Sequence, residues 1–387
     1  MENSYRKTYV EIDNSIIHEN ARILSGEINC KYKIAVVKGN AYGHGYGINP
    51  ALREGGMNAF AVSKLEEALE VRKYDKACPV IMLQPVHGEY LGLCAQNGIS
   101  VCINDEDAFK AAALSGERLK LHLKIDSGMN RLGLKDKTVI DAIYKEICAN
   151  ENLTLEGIFT HYHTNGKNDN EYANNRKRFE ELTADIPLDK IPIVHTDRTQ
   201  TALLHELPPY ETGVRIGIAL YGTPTLSLSP SSVKGKIKKA LQDIKNSFNH
   251  VEKCKSFDGL NLKYAYSLYT EVIQVKKTVP GDYVGYGLFH KCEKEEYIAV
   301  IDIGYADGIG KKRYQSKVMI NGKKYQIIGD VGMGMCEVLV DENVKKYDRV
   351  SVIGGGLNIT DVTIPLKTTV YEALTVIESS IPRIYIN

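Results

Sequence analysis

The chain has 387 residues, of which 43% are hydrophobic and 25% charged. That length exceeds the ~100–200 residues of an ordinary domain, so the starting options are one large domain plus a second, or two of similar size. A disordered tail and a small disulfide-stapled module are both excluded. Forty-nine basic against 48 acidic residues leave a net charge of +1, which supplies none of the positive field that nucleic-acid or anionic-membrane binding needs. A small-molecule partner is expected instead. Trp is absent and Tyr outnumbers Phe by 24 to 7, which alone reads as compositional drift.

Eight cysteines (Cys30, Cys78, Cys94, Cys102, Cys148, Cys254, Cys292 and Cys336) are scattered without a CxxC pair or a Cys/His cluster. They read as reduced core thiols, so neither a disulfide framework nor a metal site is expected. The opening MENSYRKTYVEID has no apolar signal core, and no segment approaches ~18 consecutive apolar residues. The chain as given is expected to be soluble and cytoplasmic, with no membrane contact of its own.

From the N-terminus to residue 222 one grammar repeats: a short apolar run, a polar stretch, then an amphipathic stretch of helical length. The runs are YKIAVV (32–37), AFAV (59–62), PVIML (79–83), ISVCI (99–103), LKLHLKI (119–125), LEGIFTH (155–161), IPIVHT (191–196) and VRIGIALYG (214–222). Between them, stretches such as KLEEALEVRKY and KTVIDAIYKEICA repeat apolar residues three and four apart. Continuous apolar strands alternating with helices predict parallel strands buried on both faces. Eight repeats with no Gly-rich dinucleotide turn after the first favour a closed (β/α)₈ barrel, an α/β TIM barrel, over an open doubly wound sheet.

Residues 223–262 read as an interdomain insertion. TPTLSLSPSS is linker-like, and the following stretch places Val233, Ile237, Leu241, Ile244, Phe248 and Val251 on one helical stripe. From 263 to 387 the grammar becomes strands separated by Gly, Asp and Asn turns, predicting an all-β C-terminal domain. Within it, the Asn-Gly of MINGKKY marks a hairpin.

In a (β/α)₈ barrel the chemistry sits where strands end. The first strand ends at Lys38, which either reaches solvent or is functional, and the small residues of GNAYGHG after it let backbone approach a ligand closely. AVVKGNAYGHG resembles the cofactor-lysine motif of the alanine racemases, which bind pyridoxal 5′-phosphate on a (β/α)₈ barrel followed by a β-domain. The resemblance covers nearly the whole chain. KIDSGMNRLG (124–133), GIFTHY (157–162), GVRIGIALYG (213–222), VGYG (284–287), IGYADG (303–308), TTVYEAL (368–374) and IPRIY (381–385) are similar to family motifs, in family order.

The resemblance implies that Lys38 holds the cofactor as a Schiff base and acts as one base. Racemisation needs a second acid/base on the opposite face of the substrate Cα, and the resemblance supplies Tyr286, reached from the partner subunit of a homodimer. A phenol is a poor base at its ordinary pKa of ~10, so neighbouring charge has to assist it. Arg215 is similar to the family arginine that meets the pyridine nitrogen, and His161 is expected to orient it. A guanidinium does not readily give up a proton, so the ring stays unprotonated and side reactions are disfavoured. The phosphate is expected on Tyr42, Thr199, Tyr371 and the backbone N–H groups of Gly217 and Ile218. Arg131 and the N–H of Met333 match substrate-carboxylate donors, and Lys124 matches a lysine that can be carbamylated.

The chain also departs from the family pattern. Asp197 and Arg198 put charges beside Thr199. Gly332 and Gly334 flank Met333 where cysteine and aspartate are usual. Asp330 and Lys311 stand at two entrance-arginine positions. These departures, with the insertion, bring the chain near the serine/alanine racemase domains of vancomycin-resistance systems, which follow a membrane domain. The expected activity is racemisation of L-serine and/or L-alanine for peptidoglycan precursors, although bulky Tyr371 matches the alanine enzymes. The alternatives are a housekeeping alanine racemase, a related pyridoxal-phosphate decarboxylase, or a non-catalytic cofactor carrier.

Overall fold

A computed structural model of the chain describes residues 6–167, 169–222, 260–313 and 316–387. The expected interdomain helix of 223–262 lies outside the described residues up to 259. The chain divides into two compact units. One comprises His18–Lys38 and Asn49–Lys263, and the other Met1–Ile17, Gly39–Ile48 and Tyr264–Asn387.

The first unit is a parallel barrel. Its strands run in the order Tyr32–Val36, Ala59–Val62, Val80–Met82, Ile99–Ile103, Leu119–Lys124, Leu153–Phe159 and Ile193–His195, with Gly213–Ile216 beside the first. The last two strands are joined by Thr212 N–H to the Val194 carbonyl at 3.1 Å and Arg215 N–H to the Asp197 carbonyl at 3.1 Å. This closure rules out the open sheet. Ala59–Val62 and Ile99–Ile103 are buried at every position, as strands covered on both faces must be. Helix Lys137–Ala149 buries Ile140, Ile143 and Ile147 at spacings of three and four. Its N-terminus is set by Asp136, whose carboxylate accepts the N–H groups of Thr138 and Val139. Asp105 begins helix Glu106–Leu114 in the same way by accepting from Ala108.

The second unit is an antiparallel β-barrel. Tyr266–Thr278 pairs with Glu296–Ile301 and with Arg349–Ile353. Cys336–Val340, Lys323–Ile328 and Lys317–Ile320 complete a ring of six strands. The expected Asn-Gly hairpin is present: Asn321 has φ 50° and Gly322 φ 77°, the positive pair that a two-residue turn between twisted strands requires.

The 1–222 boundary differs from the sequence reading in two stretches, since Gly39–Ile48 and the N-terminal segment belong to the second unit. Tyr9–Asp13, inside the 1–222 stretch assigned to the first barrel, pairs antiparallel with Tyr266–Thr278 and parallel with Arg383–Ile386. Its pattern buries Val10 and Ile12 and leaves the alternate residues partly exposed. That period of two suits a sheet with one covered face rather than a fully buried barrel strand.

Candidate active site

Strand ends of the first barrel collect the expected polar residues. Arg215 is buried and sits in a cage of acceptors. Its Nη2 donates to the carbonyls of Thr160 at 2.7 Å and Thr196 at 2.9 Å, and its Nη1 donates to His195 Nδ1 at 2.8 Å and to the His195 carbonyl. The expected orienting residue, His161, stands at 3.4 Å from Nη2, so His195 and the carbonyls hold the guanidinium more closely. Burial, with Arg215 next, drives His161 down to about 2. It is therefore a neutral imidazole at physiological pH. Among the described residues the guanidinium nitrogen outside these bonds is Nε, which leaves one donor for a ring nitrogen.

Behind Arg215 runs a chain that the motif reading missed. Because Arg215 can only donate, His195 Nδ1 must accept, and its Nε2 carries the proton. Nε2 then donates to His122 Nδ1 at 2.9 Å, and His122 Nε2 donates to Glu156 Oε2 at 3.2 Å. Glu156 also accepts from Ser100 and pairs with Lys120 at 3.0 Å. Burial opposes its charge, but the His122, Ser100 and Lys120 hydrogen bonds win and bring it down to about 2. Each donor thus has a fixed direction, from guanidinium to carboxylate. The signal was available: His122 and Lys124 alternate along LKLHLK, so they share a face of a strand buried on both sides.

Lys38 closes the first strand. Burial pushes its amine below the ordinary lysine range, Arg131 pushes the same way, Glu67 opposes, and Arg215 adds further repulsion. A lowered pKa leaves more of the amine unprotonated near neutral pH, free to act as nucleophile or base. Lys124, Arg131 and His161 line one small cavity with Asp126 and Thr160. Lys124 is buried, its Nζ 4.6 Å from the centre of the Phe159 ring, and burial is the main cause that brings it to about 8. Arg131 lies on a turn fixed by Asp126, whose Oδ1 accepts the N–H groups of Gly128 and Asn130 at 3.0 Å each.

At the last strand, Gly217 N–H donates to Thr199 Oγ1 at 3.2 Å. The expected phosphate donors Thr199, Gly217 and, next in chain, Ile218 are therefore brought together. Asp197 is fully buried, its carboxylate accepting from the Tyr172 hydroxyl at 3.3 Å. Glu211, also buried, accepts the N–H groups of Thr196 and Asp197 and the Thr196 hydroxyl. Burial pushes both carboxyls up, and repulsion from Asp197 adds to the rise at Glu211. The unexpected charge at 197 is thus a core acid facing Tyr172. Arg198 is half-buried and contributes repulsion that lowers His161.

The second unit carries the other expected residues. Gly39, Asn40, Ala41 and Tyr42 have φ of 64°, 53°, 50° and 52°, one left-handed turn. Three of the four bear a Cβ, at about 1–2 kcal/mol each, and such strain persists only where surroundings impose it. Those surroundings come from IPRIY. Arg383 Nε donates to the Gly43 carbonyl at 3.2 Å, and the Tyr385 hydroxyl accepts from Gly47 N–H and donates to the His44 carbonyl, both at 3.2 Å. A Cβ on Gly43 would lie 2.2 Å from the Leu374 carbonyl oxygen, and one on Gly47 would strike the Tyr385 ring at 2.4 Å. The glycines of AYGHGYG are therefore required by close approach. Tyr42 and Tyr371 meet with ring centres 6.2 Å apart, so the two expected phosphate hydroxyls share one place. Burial, then Tyr371, raises the Tyr42 phenol.

Tyr286 sits on the loop between strands Tyr283–Val284 and His290–Lys291 and is 75% exposed. Positive φ at Gly285 and Gly287 shapes that loop, and Tyr286 bridges Asp330 through backbone. Asp330 in turn pairs with Lys311 at 3.7 Å. The two entrance departures neutralise one another. Met333 is exposed on a turn against IGYADG, where its carbonyl accepts Ala306 N–H at 2.9 Å.

Comparison with known proteins agrees with this arrangement. The family model "Alanine racemase, N-terminal domain" matches residues 12–224, and "Alanine racemase, C-terminal domain" matches 265–385. The alanine racemase of Listeria innocua is 32% identical over 99% of both chains. The crystal structure of alanine racemase from E. faecalis superposes with a TM-score of 0.84 at 30% identity, covering 99% of each chain. That of the Bacillus anthracis enzyme with bound L-Ala-P gives 0.84 at 29%, covering 100% of this chain and 96% of that one.

Proposed function

The chain belongs to the alanine racemase family, pyridoxal-phosphate-dependent amino-acid racemases, and on that premise we propose that it interconverts L- and D-alanine. Pyridoxal 5′-phosphate, when bound, supplies the electron sink that acidifies the substrate Cα–H. The residues fit that group. Lys38 has the lowered amine needed to hold it and to move a proton on one face. The Thr199 hydroxyl and the Gly217 N–H are uncharged donors suited to its phosphate, as are the hydroxyls of Tyr42 and Tyr371.

The observation that carries the reading is the Arg215 cage. Nη1 and Nη2 are spent on carbonyls and on His195, whose tautomer is fixed by His122 and Glu156. Such a guanidinium would donate to the cofactor's ring nitrogen without giving up its proton, which would keep the ring a modest electron sink and disfavour reactions such as transamination that need a stronger one. A decarboxylase or transaminase gains from the opposite arrangement. The second proton is handled by Tyr286 of the partner subunit, and its exposure beside Leu288 and Phe289, also largely exposed, supports a homodimer that shares each site. Arg131 and the Met333 backbone N–H bind the substrate carboxylate. Lys124, with its amine lowered to about 8, is available for carbamylation next to Arg131.

Alanine is favoured over serine as the substrate. The relatives named above are alanine racemases, Tyr371 keeps its bulk beside Tyr42, and the Lys311–Asp330 pair removes the charge reversal that set the entrance apart. The serine-directed, vancomycin-type reading gains no support of its own. D-alanine for cell-wall precursors is the use that follows. The test is a chiral assay on L-alanine and L-serine, with CO₂ release measured in parallel. D-alanine should form faster than D-serine without CO₂, and the chain in which Lys38→Ala removes the amine should be inactive and lack the bound cofactor's visible absorbance. CO₂ release, or a preference for serine, would overturn the proposal.

A further inference from the structure

We infer that the second unit contains a binding site for a borderline-soft divalent cation of the Zn²⁺ type, formed by His290, Cys292 and Glu296. The sequence shows eight scattered cysteines and no CxxC or Cys/His cluster, so Cys292 reads there as a reduced core thiol. Folding changes that, because one ligand atom from each comes within 4.8 Å of the other two.

The convergence follows from backbone that is already fixed. His290 and Cys292 are two apart in extended chain, so their side chains leave the same face. Strand His290–Lys291 is held by its ladder to Tyr283–Val284. Cys292 is pinned on both sides, its N–H donating to the Asp282 carbonyl and its carbonyl accepting Gly281 N–H, at 2.8 Å each. After a short turn, Glu296 opens strand Glu296–Ile301 in register with Thr278. His290 Nε2 and Glu296 Oε2 lie 2.6 Å apart, and Cys292 Sγ contacts Thr278 Oγ1 at 3.2 Å.

Ligand chemistry selects the ion. Imidazole, thiolate and carboxylate together suit Zn²⁺, whereas a thiolate disfavours Mg²⁺ and Ca²⁺. Bonds of ~2.0–2.3 Å in a tetrahedron place ligand atoms roughly 3.3–3.8 Å apart. The histidine–carboxylate pair must therefore open slightly and the sulfur approach by about 1 Å, within reach of rotamer adjustment. Binding releases the thiol proton to solvent. Thr278 Oγ1, which accepts from the thiol and donates to the Glu296 carbonyl at 3.2 Å, would turn its hydroxyl to the thiolate on metal binding, the kind of outer partner that orients a metal ligand. Three protein ligands leave a fourth position for water. A metal-free explanation covers less: a His–Glu hydrogen bond accounts for two of the groups, and the apolar cluster of Val284, Cys292, Ile298 and Ile328 accounts for the third. Neither accounts for a buried sulfur, an imidazole and a carboxylate sharing one spot.

The position has a consequence. His290 is the residue at which the loop carrying Tyr286 rejoins the sheet, so a bound ion would tie that end of the loop to the next strand.

The experiment is titration of the tag-free, cofactor-loaded enzyme with Co²⁺, read by absorbance, followed by displacement with Zn²⁺. One Co²⁺ per chain should bind with a thiolate charge-transfer band in the near ultraviolet and the intense visible bands of tetrahedral coordination. Cys292→Ser should abolish the band. His290→Gln and Glu296→Gln should weaken binding by more than the roughly 10–100-fold typical of losing an outer partner. Because Cys292 is buried, retained cofactor absorbance checks its variant, and half-buried His290 provides a substitution with less effect on packing. Absence of a thiolate band in the wild type, a band that survives Cys292→Ser, or an affinity unchanged by His290→Gln would each overturn the site.

Discussion

The two units place function on opposite kinds of scaffold. In the parallel barrel, Lys38, Lys124, His161 and Arg215 stand at strand ends, and Arg215 is held by carbonyls and a line of imidazoles ending in a carboxylate. In the β-barrel unit, Tyr286 and Met333 sit on exposed glycine-flanked loops, 75% and 64% accessible. The first arrangement fixes protonation states and cannot adapt without leaving buried donors unpaired. The second holds its residues by backbone alone, Tyr286 bridging Asp330 and the Met333 carbonyl accepting Ala306 N–H, and leaves their side chains open to solvent.

The largest expected effect breaks this comparison directly. Lys38→Ala and Tyr286→Phe should each reduce racemisation by about 10³-fold or more, the scale of a lost acid/base. If Tyr286 serves the partner's site, mixing the two inactive variants and allowing subunit exchange should restore roughly a quarter of wild-type activity, since half of the dimers then carry one intact site. No recovery on mixing, with exchange verified by mass spectrometry of labelled chains, would assign both residues to one subunit.

Lys124 sharpens the contrast through pH. Its folded pKa of about 8 lies below the ordinary lysine value of 10.5, so the reactive neutral amine grows as pH rises toward 8. Between pH 6 and 8 the neutral fraction increases roughly fifty-fold. At constant dissolved ¹³CO₂, the carbamate carbon signal should rise over that window and vanish in Lys124→Ala. The stability sign agrees: the buried ammonium penalises the folded state below pH 8, and this penalty is relieved as pH climbs from 8 toward the unfolded value.

Smaller effects separate rigid from adaptable parts. His195→Ala leaves a donor on Arg215 and an acceptor on His122 without a partner, and should lower stability by about 1–3 kcal/mol in urea unfolding. Tyr385→Phe removes the hydroxyl that joins Gly47 and His44, costing about 1–2 kcal/mol, and should weaken cofactor retention because the left-handed turn follows Lys38 directly. Lys311→Met, which breaks an exposed ion pair, should change stability by less than about 1 kcal/mol.

Legibility in the sequence followed the range of the interactions. Continuous apolar runs marked all the barrel strands, because burial on both faces leaves a local signature, and the Asn-Gly turn marked its hairpin for the same reason. Tyr9–Asp13 escaped because its partners lie hundreds of residues away and its alternating pattern is short. Single candidate residues could be picked out where a motif carried them, as with Lys38, Arg215 and Tyr286. His195, His122 and Glu156 were not, since three polar side chains on three strands far apart in sequence meet only once those strands pair side by side. The same holds for His290, Cys292 and Glu296, whose turn hides their convergence.

The left-handed turn at Gly39–Tyr42 bears on the order in which the protein can mature. Its restraints, Arg383 and Tyr385, are 340 and 338 residues further along the chain than the backbone groups they hold at Gly43 and Gly47. During synthesis Lys38 leaves the ribosome early, yet the turn behind it has nothing to impose its strained backbone until IPRIY has been made and docked. A nascent chain that has made only the parallel barrel thus has Lys38 in place but lacks the restraints on the backbone that follows it.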